Sequence, residues 1–149
     1  MVVQNANGIR EVPAEDFFIG PDINIERMTV LEPGDLLTTI KLPAKWAGAR
    51  FYFEKVADRA TWDFPLVNIA SVMLMNGDTV EDIRIVCGAV QCVPRRLNAI
   101  EDIVRGSSRD EETLNLAASS AARGATPLNY NHFKISLMEN LVRRAIRDS

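Results

Sequence analysis

The sequence predicts an α+β fold, in which a small antiparallel sheet of about three strands is backed by three helices. Three observations predict it. Residues 49–91 show the two-residue alternation of strands, residues 95–149 show helical spacing, and Asn76-Gly77 between two apolar runs indicates a tight hairpin. Strands followed by helices are typical of α+β domains, because the helices can then cover one face of the sheet. A chain of 149 residues is long enough to bury a hydrophobic core.

Residues 1–48 precede this domain and are punctuated by proline and glycine. They contain short strand-like pieces at 9–12 and 36–42, the second of them after a Pro-Gly turn signal. One helical turn is predicted after Pro13. Because no long periodic element is present, we expect an extended lead-in here and a compact domain at 49–149.

The predicted sheet begins with an aromatic run. Because side chains alternate along a strand, Phe51, Phe53 and Lys55 share one face. The next strand, at 66–75, is nearly all apolar, which is typical of a strand covered on both faces. The return strand at 80–90 places one alternating set on a common face: Ile83, Ile85 and Cys87.

Three helices are predicted after the sheet. The first carries apolar residues at helical spacing and ends at Gly106, a residue that suits a C-terminal cap. The second helix opens with a capping box that begins at Ser108, and this helix ends before Gly124. The third carries an apolar stripe at four-residue steps from Phe133 to Leu141, and its last arginines suit the helix dipole.

Composition and charge exclude several classes of protein. The net charge is −3, and no long basic run is present, which argues against a nucleic-acid surface. No apolar run reaches the roughly 18 residues that span a bilayer, and no signal peptide is visible. We therefore expect a cytoplasmic protein that binds neither nucleic acid nor membrane.

Few residues suggest conventional catalysis. Cys87 and Cys92 are too few for a disulfide scaffold, and we expect two reduced thiols in the core. The single histidine, His132, is far from both and supports neither a metal site nor a general base. The sequence has no Gly-rich phosphate loop. Trp46 and Trp62 are expected to be partly buried, and the arginines after Pro94 are expected to be solvated: Arg95 and Arg96.

Lys55, Arg59 and Asp63 follow the aromatic run at four-residue steps. One interpretation is a solvated cluster in which Arg59 pairs with Asp63 or Asp58, as surface ion pairs do. The other interpretation is a flavin site. A reduced flavin carries negative charge near N1 and the C2 carbonyl, and a fixed cation stabilises that charge. Lys55 shares a face with two phenylalanines, so its ammonium is placed against an apolar surface.

The chain resembles the C-terminal half of the FAD-binding (medium) subunit of molybdenum hydroxylases, the carbon monoxide dehydrogenase, xanthine dehydrogenase and aldehyde oxidoreductase family. The matching segments occur in order along essentially the whole chain and fit the patterns R-x-x-P…D-F-F-x-G, L-x-P-G-E-L-L-x-x-I-x-L-P, K-x-x-x-R-x-x-x-D-x-x-x-V-x-x-A and G-G-V-x-x-x-P-x-R-x-x-x-x-E. They are residues 10–20, 31–43, 55–70 and 87–101. In this chain Cys87 replaces the first glycine of the Gly-Gly pair, and Phe133 replaces a tyrosine.

The resemblance implies roles for individual residues. It implies that Leu37 and Lys55 contact FAD, with Lys55 near the isoalloxazine, and that the loop from Arg59 to Asp63 shapes the open face of the ring. It also implies that residues 1–48 are a remnant of the second subdomain of the FAD-binding domain, and that 49–149 form the flavoprotein C-terminal domain. The family's Gly-rich pyrophosphate loops belong to an N-terminal half that this sequence lacks.

In the complete enzyme the resemblance implies a molybdenum–pterin large subunit, a small subunit with 2Fe–2S clusters, and electron flow through FAD to an acceptor. This chain is then expected to be catalytically inert alone. The main alternative is a non-enzymatic module for subunit docking or homo-oligomer formation. A third interpretation, a stand-alone small-molecule binder, requires a preformed pocket within 49–149.

Overall fold

The computed structural model describes the whole chain, residues 1–149, which divides into two compact units, Met1–Lys45 and Trp46–Ser149. The first unit is built on an antiparallel sheet with the strand order β2-β1-β3. Its elements are β1 (Val2–Asn5), β2 (Gly8–Glu11), a helical turn α1 (Ala14–Phe17) and β3 (Leu36–Thr39). The central strand β1 was not predicted from the sequence.

A buried carboxylate ties the first unit together. The side chain of Asp35 is 1% exposed and accepts hydrogen bonds from Arg10 Nη2 at 2.5 Å and Asn5 Nδ2 at 2.8 Å. The main-chain N–H of Glu32 donates to the same carboxylate at 2.9 Å. The Arg10 guanidinium, followed by the Glu32 N–H, holds the pKa of Asp35 well below its usual range. The strands β1 and β2 are thereby fixed to the turn before β3.

The second unit contains a four-stranded antiparallel sheet in the order β4-β5-β6-β7. The strands are β4 (Arg50–Val56), β5 (Val67–Asn76), β6 (Thr79–Gly88) and the two-residue β7 (Arg95–Arg96). The hairpin lies one residue later than predicted, because Asn76 pairs with Thr79 and leaves Gly77 and Asp78 as the turn. Gly77 has a φ of 61°, and glycine at the first turn position is typical of a type II′ turn.

Three helices follow the sheet: α2 (Asn98–Val104), α3 (Glu111–Ala121) and α4 (Phe133–Asp148). Gly106, with a φ of 80°, follows the end of α2 as expected. The cap of α3 differs from the prediction. Asp110, not Ser108, accepts the N–H of Thr113 at 2.8 Å, and the Ser108 hydroxyl donates to the Asp110 carboxylate instead. The predicted α+β fold with three backing helices is confirmed.

The core of the second unit lies between the three helices and one face of the sheet. Alternation along β5 and β6 turns Ile69, Met73, Ile83 and Ile85 toward the helices, and each is at most 1% exposed. On α4 the buried stripe runs along the second half of the helix, while Phe133 at its start is 49% exposed. None of the helices combines the length and the apolar composition that a membrane-spanning helix needs.

Candidate functional site

The opposite face of the sheet is open along β4. Phe51 and Phe53 are 68% and 65% exposed on this face, and Lys55 follows them at the end of the strand. The alternate residues Tyr52, Glu54 and Val56 point toward the helices and are half-buried. The predicted alternation of β4 is therefore observed, and its solvent face combines two aromatic rings with one cation.

The loop at residues 57–66 connects β4 to β5 and is organised by Asp63. The Asp63 carboxylate accepts the main-chain N–H groups of Arg59 and Phe64, both at 3.0 Å. The Arg59 guanidinium lies 3.5 Å from the same carboxylate. The main-chain N–H of Leu66 donates to the oxygen of Val56 at 2.7 Å, which closes the base of the loop. A single carboxylate thus fixes both arms of the loop.

Two opposing effects set the pKa of Asp63. Burial is the largest single effect and raises the pKa, but the hydrogen bonds from the Arg59 side chain and from the neighbouring N–H groups together outweigh it. The net pKa is lowered, so Asp63 is ionised at neutral pH. The loop geometry that depends on this carboxylate is therefore maintained under physiological conditions.

Lys55 is tied to this loop by its ammonium, which donates to the main-chain oxygen of Asp63. A recess of about 560 Å³ lies beside it and is lined by Lys55, Thr61, Trp62, Asp63 and Phe64. Trp62 and Phe64 are 99% and 89% exposed, and Trp62 has a φ of 49°, which is uncommon for a residue other than glycine. The expectation that Trp62 is partly buried was wrong, because the loop turns its side chain to solvent.

The structure brings three of the four predicted site residues together. Lys55, Arg59 and Asp63 form one cluster through the contacts above, whereas Leu37 lies on β3 in the first unit and is 39% exposed. The predicted surface ion pair between Arg59 and Asp63 is present. It does not include the ammonium of Lys55, which is bonded to a neutral carbonyl and retains an uncompensated charge beside the recess.

This arrangement suits one side of a planar ring whose edge carries carbonyl oxygens and takes up negative charge on reduction. The exposed faces of Trp62 and Phe64 offer apolar contact, and the Lys55 ammonium offers a positive charge and donors for ring oxygens. The residues present therefore fit the ring portion of a flavin. They do not fit its diphosphate, because the recess includes no glycine-rich loop or row of main-chain N–H groups.

A second polar cluster, around Glu101, was not predicted from the sequence. Arg96 was expected to be solvated, but its guanidinium is bonded to Glu101, which is 1% exposed. The five-residue spacing of Arg and Glu in the family pattern was the available signal. The prediction for Cys92 was also wrong: Cys87 is buried as expected, but Cys92 is exposed, and both are free thiols.

Residues 52–149 match the model of the CO dehydrogenase flavoprotein C-terminal domain. The chain belongs to this family of flavoprotein domains, as the resemblance predicts. FAD is the cofactor of the family.

The names of the relatives identify them as the medium subunit or medium chain of an enzyme. The medium chain of carbon monoxide dehydrogenase from Hydrogenophaga pseudoflava is 30% identical over 97% of this chain, and the nicotine 6-hydroxylase medium subunit of Paenarthrobacter nicotinovorans is 26% identical over 97%. A solved structure of carbon monoxide dehydrogenase from Hydrogenophaga pseudoflava matches 98% of this chain with a TM-score of 0.85 and 31% identity. The chain spans about half the length of these relatives, 50% in each case.

Proposed function

We propose that this chain is the part of a molybdenum-hydroxylase FAD subunit that forms one wall of the flavin site. The observation that carries the proposal is the position of Lys55, whose ammonium lies beside a recess lined by exposed aromatic rings. FAD, when bound, relays electrons from 2Fe–2S clusters to an acceptor. The family membership supports this assignment, because its relatives include an Escherichia coli protein named as an aldehyde oxidoreductase FAD-binding subunit.

Each predicted site residue has a distinct role in the proposal. Lys55 places a positive charge at the N1 and C2-carbonyl edge of the ring, where it stabilises negative charge and raises the reduction potential. Asp63 positions Lys55 and, with Arg59, holds the loop that borders the open face of the ring. Leu37 is proposed to contact FAD as well. Residues 1–48 are proposed to be a remnant of the FAD-binding domain, and 49–149 its C-terminal neighbour.

In the proposed assembly, other protein segments and subunits carry the remaining functions. The diphosphate of FAD is held by the N-terminal half of the subunit. A large molybdenum–pterin subunit performs the substrate chemistry, and a small subunit carries the 2Fe–2S clusters. The chain alone is therefore inert as a catalyst, and it acts in the cytoplasm as part of that complex.

Two measurements test the proposal. In the first, the purified chain is titrated with FAD and with riboflavin, and flavin fluorescence is followed. Because the phosphate-binding half of the proposed subunit is not part of the titrated chain, we expect dissociation constants above about 1 μM, with no preference for FAD over riboflavin. In the second, the complementary half of the subunit is restored, and the flavin reduction potential is measured for wild type and Lys55→Met.

Lys55→Met is expected to lower the potential and weaken FAD binding, because the positive charge at the ring is lost. The matched control is Lys41→Met, which removes an exposed lysine paired with Glu11 in the first unit. If the restored subunit assembles normally and Lys55→Met changes neither quantity, the flavin-wall proposal is wrong.

That last outcome favours the second candidate function, a docking module without flavin. The observation that supports it is the exposed aromatic face of β4, Phe51 and Phe53. In that case Phe53→Ser impairs assembly with the complementary half, whereas Lys55→Met does not.

A further inference from the structure

A second groove, of about 350 Å³, lies between β7, α2 and the C-terminal end of α3. It shares no residue with the recess at Lys55. Its accessible apolar lining comes from Ala99 and Ile103, whereas Leu97 and Ile100 are only 5% and 2% exposed. Ser120 also lines the groove. Arg95 and Arg123 also line it, one from β7 and the other from the residues after α3.

These two arginines differ from all the others in the chain. Every other arginine either pairs with a carboxylate or donates to main-chain oxygens at the end of α4. Arg95 makes only a 3.3 Å hydrogen bond to the amide oxygen of Gln91, and the Arg123 guanidinium has no partner. Both side chains are exposed.

No lining residue of the groove carries a carboxylate. Arg96 also lines it, but its charge is balanced by Glu101. Arg95 and Arg123 therefore leave two uncompensated positive charges at one groove, in a chain whose net charge is −3. The end of α3 contributes a partial negative charge of about half an elementary charge, which two full charges outweigh.

We propose that this groove binds a small organic anion, an apolar body that bears a terminal phosphate or carboxylate. Guanidinium groups match the geometry of such oxyanions and bind them through paired hydrogen bonds. Ile103, which is half-buried, and the exposed Ala99 provide the contact for the apolar body. The volume lies at the lower end of the range for small-molecule sites, roughly 300–1,000 Å³, which limits the ligand to one ring or a short chain.

The test is isothermal titration calorimetry, in which the full 149-residue chain is titrated with phenyl phosphate, benzoate or inorganic phosphate at constant ionic strength and the dissociation constants are compared. Phenyl phosphate is expected to bind about tenfold more tightly than inorganic phosphate, because only the former buries a ring against the apolar part of the groove. Comparable binding of benzoate identifies a general oxyanion site, and its failure to bind identifies a phosphate site.

Substituted variants distinguish a specific binding site from nonspecific electrostatic attraction of the anion. The double substitution Arg95→Gln, Arg123→Gln is expected to weaken phenyl phosphate binding by at least about tenfold. Arg147→Gln, which removes an exposed arginine paired with Asp148, is the matched control and is expected to have no effect. Ala99→Phe keeps both charges but fills the groove from an exposed position of α2, and it is also expected to weaken phenyl phosphate binding by at least about tenfold.

The proposal is overturned if phenyl phosphate binds no more tightly than inorganic phosphate. It is also overturned if Arg147→Gln weakens binding as much as the double substitution, or if Ala99→Phe leaves it unchanged. Each of these results means that the two arginines are solvated charges without a site. All substituted positions are exposed, and thermal unfolding of each variant establishes that the fold is retained.

Discussion

Arg96 and Glu101 are joined by two hydrogen bonds, from Nε at 2.8 Å and from Nη2 at 2.7 Å. The Glu101 carboxylate also accepts the main-chain N–H of Ile85 at 3.1 Å. One buried carboxylate thus connects β6, β7 and α2. An ion pair in such a position contributes little compared with a well-packed apolar core, but the loss of one partner leaves the other charge uncompensated.

Glu101→Gln is therefore expected to destabilise the second unit by about 3 kcal/mol. The glutamine can still accept from Ile85, but it does not balance the charge of Arg96. Urea unfolding followed by circular dichroism measures the change. Asp102→Asn is the neighbouring control, because the Asp102 side chain is 73% exposed, and it is expected to change stability by less than about 0.5 kcal/mol. Equal effects of the two substitutions would contradict the assigned role of the buried pair.

The side chain of Asn68, which pairs with Gly88 across the sheet, leaves no room for a β-carbon at position 88. A β-carbon at Gly88 would lie 2.1 Å from Asn68 Oδ1, and this oxygen is buried without a hydrogen-bond partner. Gly88→Ala is expected to cost about 1–3 kcal/mol, because the Asn68 carboxamide must move. The double variant Gly88→Ala, Asn68→Ala is expected to recover most of that loss, since the clash and the unpaired oxygen are both removed. A double-mutant cycle of unfolding free energies checks this coupling, and strict additivity would refute it.

The two thiols are expected to react at very different rates. Burial raises the pKa of the Cys87 thiol to about 12, whereas Cys92 is exposed. At pH 8 only about one part in ten thousand of Cys87 is thiolate, and the buried sulfur is also shielded from reagents. A thiol-disulfide reagent should therefore modify one thiol in the native chain and two in denaturant. Cys92→Ser should abolish the native reaction, and a persistent fast thiol in that variant would place Cys87 at the surface.

The stability of the first unit should fall in acid. The folded pKa of Asp35 lies well below the ordinary value of about 3.9, so its contribution is complete above that value and is lost as pH falls through the folded pKa. Asp35→Asn is expected to weaken β1 and β2 at pH 7 and to reduce the further loss between about pH 5 and 2. The amide NMR signals of these strands during thermal unfolding provide the measurement.

Asp16→Asn is the control for this prediction, because Asp16 lies exposed on α1. It should leave the acid sensitivity of β1 and β2 unchanged. An acid transition that is the same in wild type and Asp35→Asn would assign the effect to other carboxyl groups.

The periodic parts of the fold were predictable from the sequence, and the local polar contacts were not. Alternation along β6 identified the core positions, because burial of one face imposes a period of two. The cap of α3 was assigned to Ser108, although Asp110 is the residue that caps the helix. Both residue types favour that position, and only the backbone geometry decides between them.

The candidate site was predictable from the sequence only in part. The spacing of Lys55, Arg59 and Asp63 suggested a cluster, and the contacts among them are present. The four-residue steps suggested neither the loop conformation nor the exposure of Trp62, since both depend on hydrogen bonds to a carboxylate eight residues from Lys55 in sequence. Glu101 was noted from the sequence only as a position of the family pattern. Its burial was not predicted, because no local sequence signal indicates that a charged residue is buried among arginines.

The conformation of Trp62 gives the chain an intrinsic optical reporter. Of the two tryptophans, Trp46 is half-buried beneath the Arg84 guanidinium, 5.7 Å from its ring centre, whereas Trp62 is 99% exposed at the candidate site. Trp62 is therefore expected to emit at long wavelength and to be open to collisional quenchers, whereas the half-buried Trp46 is expected to be less accessible to them. In a Trp46→Phe background, the emission of the folded chain comes from the loop alone, so contacts made there are visible without an attached dye.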